Sequence, residues 1–269
     1  MSGRRAKADR RASKTPTPGQ AAAVVKRSAE AILAVDLSDV VLRDRVPQVV
    51  VGLCRAAAAQ SRAVATLTLA GQSSSAAANR RLVFETAIRL NWLRGLSGAD
   101  RRQAVDVMLA KDRKDTNSTL DYLAKRGQKV DFDPTEMNAF ELDAPAAGAI
   151  QEQARKLDAA VQKSATDPWS LYAFWREETK YAHPSGALAG QYAPTEDGVH
   201  LASGEPEPLD PTLEGHQLTL CLIVAMTQEI LADEGYPPEV AHRITEAFRA
   251  QNMFNFEWPA WAPETKSRR

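Results

Sequence analysis

The sequence predicts an all-α chain, a helical bundle with one long Gly- and Pro-rich loop ahead of its last two helices. Apolar residues recur three and four apart through most of its length, as one face of a helix requires. Prolines fall where a first helical turn tolerates them, and glycines or short polar residues sit where such runs stop. Hydrophobic residues make up 44% and charged residues 25% of the 269 positions, the proportions of a chain that folds rather than one that stays disordered.

Taken in order, residues 1–19 read as a disordered basic arm. Arg4, Arg5, Lys7, Arg10, Arg11 and Lys14 are opposed only by Asp9 and are followed by Thr15-Pro16-Thr17-Pro18-Gly19. The bundle domain spans 20–251. Ala22, Val25, Ala29, Ile32 and Leu33 place a first helix over 20–34, and Pro47 opens a second that carries Val50, Leu53, Cys54, Ala57, Val64 and Leu67 to Gly71. Ser73, Ser74 and Ser75 offer N-caps to a third, which holds Leu82, Phe84, Ile88, Leu90, Trp92 and Leu93 and stops at Ser97-Gly98. Asp100 opens a fourth reaching Gly127, with a break expected in the polar run Lys111 to Thr119. An amphipathic helix follows over 146–163, then one that starts at Asp167-Pro168 and stops at His183-Pro184, because a residue before proline leaves the helical region. Residues 185–211 lack a helical period and predict a loop with a small hairpin between Tyr192 and Ala202. Helices over 213–232 and from Pro237-Pro238 through Phe248 close the bundle. Residues 252–269 form an irregular segment whose Phe254, Phe256, Trp258 and Trp261 are expected to pack back onto it.

Composition narrows the function classes. Lys plus Arg and Asp plus Glu number 34 each, so no global field draws the chain to nucleic acid or membrane. The most apolar run, Leu218 to Met226, is too short to span a bilayer, and the basic arm lacks the apolar stretch of a secretory signal. A cytoplasmic protein without membrane partners is expected, from a bacterium with a GC-rich genome on the evidence of its Ala- and Arg-rich composition. Cys54 and Cys221, each in an apolar stretch, read as buried hydrophobes rather than disulfide or zinc partners. Glu239-x-x-His242 stands alone where a di-iron bundle needs two such pairs, and His200, Glu214 and His216 read as surface polar residues. No metal or cofactor is expected, since no phosphate loop, nucleophile elbow or dinucleotide fingerprint is present.

Two segments carry candidate chemistry. On the helix before His183-Pro184, Tyr172, Arg176, Lys180 and His183 share a polar stripe beside an aromatic one. His183 falls at the helix C-terminus, where the macrodipole favours imidazolium and proton exchange near neutral pH. On the third helix Arg81, Glu85 and Arg89 share a face, either as a surface ladder of ion pairs or turned inward, where Glu85 would pair with Arg176, Lys180 or His183. The large apolar residues Phe84, Ile88 and Trp92 are expected to pack against the aromatic side of the 167–182 helix.

The Arg-x-x-x-Glu helix and the Tyr-rich helix ending in His183-Pro184-Ser185 resemble an uncharacterised all-helical bacterial protein family over about Ala76 to Leu188, a likeness that implies fold and no activity. Arg176 and His183, with six residues between them, also resemble the Arg-x4-6-His motif of HEPN-domain proteins. That resemblance implies a metal-independent ribonuclease, a toxin or defence effector, acting on RNA as a homodimer. His183 would exchange a proton with ribose or leaving oxygen and Arg176 would hold the phosphate. Glu177 stands where such sequences commonly have Asn, Asp or His, and would repel a phosphate. Two readings therefore stand: a binding module in which Arg81, Glu85, Arg176 and His183 form a polar cluster with Tyr172 and Lys180, and a HEPN-like ribonuclease using Arg176 and His183.

Overall fold

The computed structural model describes residues 16–129, 131–139, 141–142, 148–164 and 166–251. Among these residues the chain is a helical bundle, and two-residue strands form its only sheet. The basic residues of the N-terminal arm and the aromatic C-terminal segment lie outside the described residues. Helix α1, Pro18–Leu33, starts inside the stretch expected to be disordered. A reciprocal cap explains this: Thr17 Oγ1 accepts from the Gln20 amide while Gln20 Oε1 accepts from the Thr17 amide, and Pro18 sits in the first turn, where its missing N–H costs nothing.

Helix α2, Val46–Leu69, carries Pro47 in its first turn, and Asp44 accepts from the Val46 amide. The three serines cap nothing. They form a 3-10 turn, Ser73–Ala76, that feeds α3, Ala77–Arg94. Helix α4, Gly98–Lys125, is capped by Ser97, whose Oγ accepts from the Asp100 amide. It is unbroken through the polar run, which contains good helix formers and a Lys111–Asp115 pair at 2.7 Å, the i,i+4 spacing that supports an exposed helix. Its buried residues are Arg101, Ala104, Val105 and Val107, all near its start, so its last four turns extend beyond the core.

The short α5, Thr135–Asn138, is followed by α6, Ala149–Arg155, and α7, Leu157–Lys163, where one helix was expected. The chain turns extended at Lys156, and Arg89 donates to the carbonyls of Gln153 and Ala154, satisfying the end of α6 in place of a continuing helix. Helix α8, Leu171–Ala182, follows a 3-10 turn at Pro168–Ser170 and ends at extended His183. The expected loop contains one further helix, α9, Gly186–Tyr192, capped by Ser185. The expected hairpin is present as β1, Thr195–Glu196, antiparallel to β2, His200–Leu201. Gly204 lies so close to Gln191 and Pro194 that a Cβ there would stand 2.9 Å from Pro194 Cδ.

Helix α10, Glu214–Asp233, is buried on nearly every side; α11, Pro238–Ala241, and α12, Arg243–Gln251, replace the single last helix expected, broken at His242. Helix α3 is the axis of the bundle, in contact with α2, α7, α8 and α10, while α12 packs on α1 and α10. One main core runs through these elements, with smaller apolar clusters at either side. Cys54 and Cys221 are buried thiols, each pushed up to about 11 by burial. Buried Arg101 ties two helix ends together: it donates to the carbonyls of Leu93, in the last turn of α3, and of Leu96, just beyond it, and pairs with Asp233 and Glu234 at the end of α10. No helix among the described residues is long and apolar enough to cross a membrane.

Candidate functional site

Successive residues on a helix are about 100° apart, so neighbours in sequence face different surroundings. On α3 the stripe of residues 80, 84, 87, 88 and 91 is buried, and residues 81, 85 and 89 form the next stripe round, half-buried. The buried arginine of α3 is therefore Arg80, whose Nε lies 2.6 Å from Glu178 Oε1 and whose Nη1 donates to the Ser73 carbonyl. Glu178 is 2% exposed, and burial pushes its carboxyl up against the opposing pull of Arg80. Its second oxygen has no hydrogen-bond partner among the described residues.

His216, expected at the surface, is 1% exposed. It sits in the first turn of α10, where Asp210 accepts from the backbone amides of both Glu214 and His216. Its Nε2 lies 3.0 Å from Ser61 Oγ on α2. Burial, with the charge of Arg80 second, pushes the imidazole down to about 3, so it is neutral. A serine and histidine at that separation have the spacing of a nucleophile and its base. Both are sealed in the core, Ser61 with no exposed surface, so the pair joins α2 to α10 instead of meeting a substrate.

The buried polar residues here are thus the Arg80–Glu178 pair and, bonded to Ser61, His216, and not Arg81, Glu85 and His183. Helical spacing carried a signal for each. Glu178 lies seven residues after the buried Leu171, on the same face of α8, and His216 is in step with the buried Leu220, Ile223 and Thr227 of α10.

The residues expected to form the site lie on the outer side of α3 and α8. Arg81 donates from Nε to Thr179 Oγ1 at 3.1 Å, stands 3.5 Å from Glu85, and holds its guanidinium 5.3 Å from the Trp175 ring centre. Trp175 donates to Glu85 at 3.1 Å and stacks on Tyr172, with ring centres 5.6 Å apart. Arg176 lies over the far side of this pair, 5.9 Å from the Tyr172 ring centre. Arg81, Trp175, Tyr172 and Arg176 therefore form one chain of cation and ring contacts.

Glu85 does not pair with Arg176, Lys180 or His183 as expected. Lys180 is held by Glu177 at 2.6 Å, one turn back on its own helix, and Arg176 lies back over Tyr172. Exposed Arg176 and His183 have no hydrogen-bond or ion-pair partner among the described residues, and Ser185 Oγ, not His183, satisfies the Lys180 carbonyl at the end of α8. Of the expected apolar contacts, Phe84 stacks on Phe174, their ring centres 5.6 Å apart, and Ile88 shares a small crevice with Leu171. Trp92 points its indole N–H elsewhere, to Gln153 Oε1 on α6 at 2.9 Å. That crevice has about 10 Å³ of free space, room for roughly one water and no larger ligand. Phe174 remains 41% exposed despite this stacking, and Leu82 is 39% exposed.

No group of three or more His, Cys, Asp or Glu among the described residues is placed to hold a metal ion. Comparison with protein-family models, with curated proteins and with solved structures gives no match for this chain.

Proposed function

We propose that the chain is a binding module whose contact surface is the outer face of α8 with the adjoining edge of α3. The observation that carries this reading is the state of Arg176: its guanidinium is laid on Tyr172, has no polar partner among the described residues, and stands on the same helix as exposed Phe174. Arginine and aromatic side chains fixed in place are the residues that dominate protein interfaces, because they lose little freedom on binding. Behind them, the Arg80–Glu178 pair holds α8 against α3. Selection from a random peptide display library tests this. Bound peptides should carry a carboxylate beside an aromatic residue, and Arg176→Ala should weaken them at least about tenfold, the worth of one charged hydrogen bond, with an unchanged melting temperature. If nothing is selected, or if binding ignores Arg176 and Phe174, the reading fails.

One observation supports a second reading, the HEPN-like ribonuclease. Glu177, whose charge would oppose a phosphate at Arg176, is held by Lys180 at 2.6 Å, and both Arg176 and His183 are solvent-accessible. Incubation of the purified protein with total RNA and a chelator tests it: cleavage that His183→Ala abolishes without a change in melting temperature would establish the nuclease, and intact RNA would dismiss it.

A further inference from the structure

We propose that residues 205–217, running from the hairpin region through the first turn of α10, form a latch that opens as one unit while the rest of the bundle stays folded, and that protonation of His216 holds it open. The proposal is independent of the binding-module reading. Three observations carry it.

The first is how little backbone holds the segment. Residues 202–213 belong to no helix or strand, and Pro206, Pro208 and Pro211 have no amide to donate. Among the described residues no amide from 205 to 212 donates to a backbone carbonyl. The fastenings are side chains: Ser74 donates to Glu205, Pro206 is buried, and Asp210 accepts from the amides of Glu214 and His216. A segment held this way opens at a lower free energy than the helices beside it.

The second is that the closed state carries strain. Leu213 has φ 54°, in the left-handed region that a bulky side chain rarely adopts, while its side chain is seated among Ala21, Val25, Val64 and Ala65. Three residues on, His216 keeps Nε2 3.0 Å from Ser61 Oγ, and its Nδ1 has no hydrogen-bond partner among the described residues. Opening relaxes the backbone at Leu213 and gives that nitrogen water, which offsets part of the lost burial.

The third is the charge around the imidazole. Arg80 of α3 is the group whose charge reaches it, Glu178 of α8 is paired with Arg80, and Asp210 of the latch is bonded to the amide of His216 itself. From α2 comes uncharged Ser61, and on the α1 side Gln217 donates to the Ala21 carbonyl. Helices α11 and α12 meet α10 farther along, near Leu231 and Cys221. No carboxylate therefore contacts the ring to support its proton. Closed, the imidazole is pushed down to about 3 by burial and then by Arg80; released into water, it takes a proton near its ordinary 6.5. Because the closed value is the lower one, acid favours the open latch, by about thirtyfold between pH 7.5 and 5.0.

Native-state hydrogen exchange of the full-length chain, followed by NMR at those two pH values and corrected for intrinsic exchange rates, tests the proposal. The amides of Leu213, Glu214, His216 and Gln217 should exchange through an opening that about 1 M urea barely changes, whereas amides of buried α3, Phe84 to Ile88, should follow the urea-dependent global transition. Protection of the four latch amides should fall on acidification about thirtyfold more in the parent than in His216→Gln. Glu178 titrates in both proteins and cancels from that ratio. Should His216→Gln not fold, His216→Leu takes its place, and the urea dependence is read on the parent alone. Latch amides that share the urea dependence of α3 open only with the whole chain, and would overturn the proposal. So would protection that acid leaves unchanged, or lowers equally in parent and variant.

Discussion

Lowering the pH should destabilise this fold through His216. The imidazole is neutral in the folded protein, pushed down to about 3 from an ordinary 6.5 by burial first and by Arg80 second. Its place in the first turn of α10 adds the positive end of the helix dipole. The folded-state value is the lower one, so below pH 6.5 the unfolded chain takes up a proton that the folded chain refuses. Stability is unaffected by this group above about pH 7 and falls as pH drops from 6.5 toward 3, by about 1.4 kcal/mol per unit. Between pH 7.5 and pH 5.0 the loss amounts to roughly 2 kcal/mol. Glu178 works the other way: its raised value makes the folded state the better proton acceptor above 4.5, offsetting part of the loss. Glu178 titrates in parent and variant alike, so the control is His216→Gln, which keeps a polar side chain and removes only the imidazole titration. Urea unfolding at both pH values, for both proteins, should show the parent losing about 2 kcal/mol more than the variant. Parallel losses in the two proteins would refute the assignment of a buried, neutral His216.

Two further outcomes follow from particular contacts. Arg101→Lys should cost about 3 kcal/mol in a urea melt, because an ammonium cannot replace the guanidinium contacts to the ends of α3 and α10 and leaves the buried side chain of Glu234 with only the more distant, exposed Arg102. Gly204→Ala should open the hairpin region to protease cleavage near residues 194–204 while leaving global stability within about 1 kcal/mol, since the crowded contacts with Gln191 and Pro194 are local to an exposed segment.

Much of the bundle was legible in the sequence because its punctuation is local. Pro18, Pro47, Pro168 and Pro238 each sit in a first turn, and His183 ends α8 because Pro184 follows it. Asp197-Gly198, both with positive φ, mark the hairpin. What stayed hidden depends on angular placement and on distant partners. Two adjacent arginines, Arg80 and Arg81, look alike in sequence, and only the packing of α8 on α3 decides that Arg80 enters the core while Arg81 lies against Trp175. Position 216 reads as polar next to a loop until Ser61, 155 residues earlier, is brought against it. The split between α6 and α7 required Arg89 to supply donors from another helix, which periodicity along one segment does not reveal.

The Arg80–Glu178 pair also bears on how the chain finds its fold. Its members are 98 residues apart, so the chain between them must be closed into a loop before either charge meets its partner, a search that slows with contact separation. If α8 docks one residue out of register, Glu178 and Arg80 no longer meet, and each such near-miss buries an uncompensated charge at a cost of several kcal/mol. Replacing both by apolar residues of similar size would remove that penalty along with the attraction. Such a protein would be as stable or more so at equilibrium, yet slower to reject misdocked states, and its refolding traces would show additional slow phases that the parent lacks.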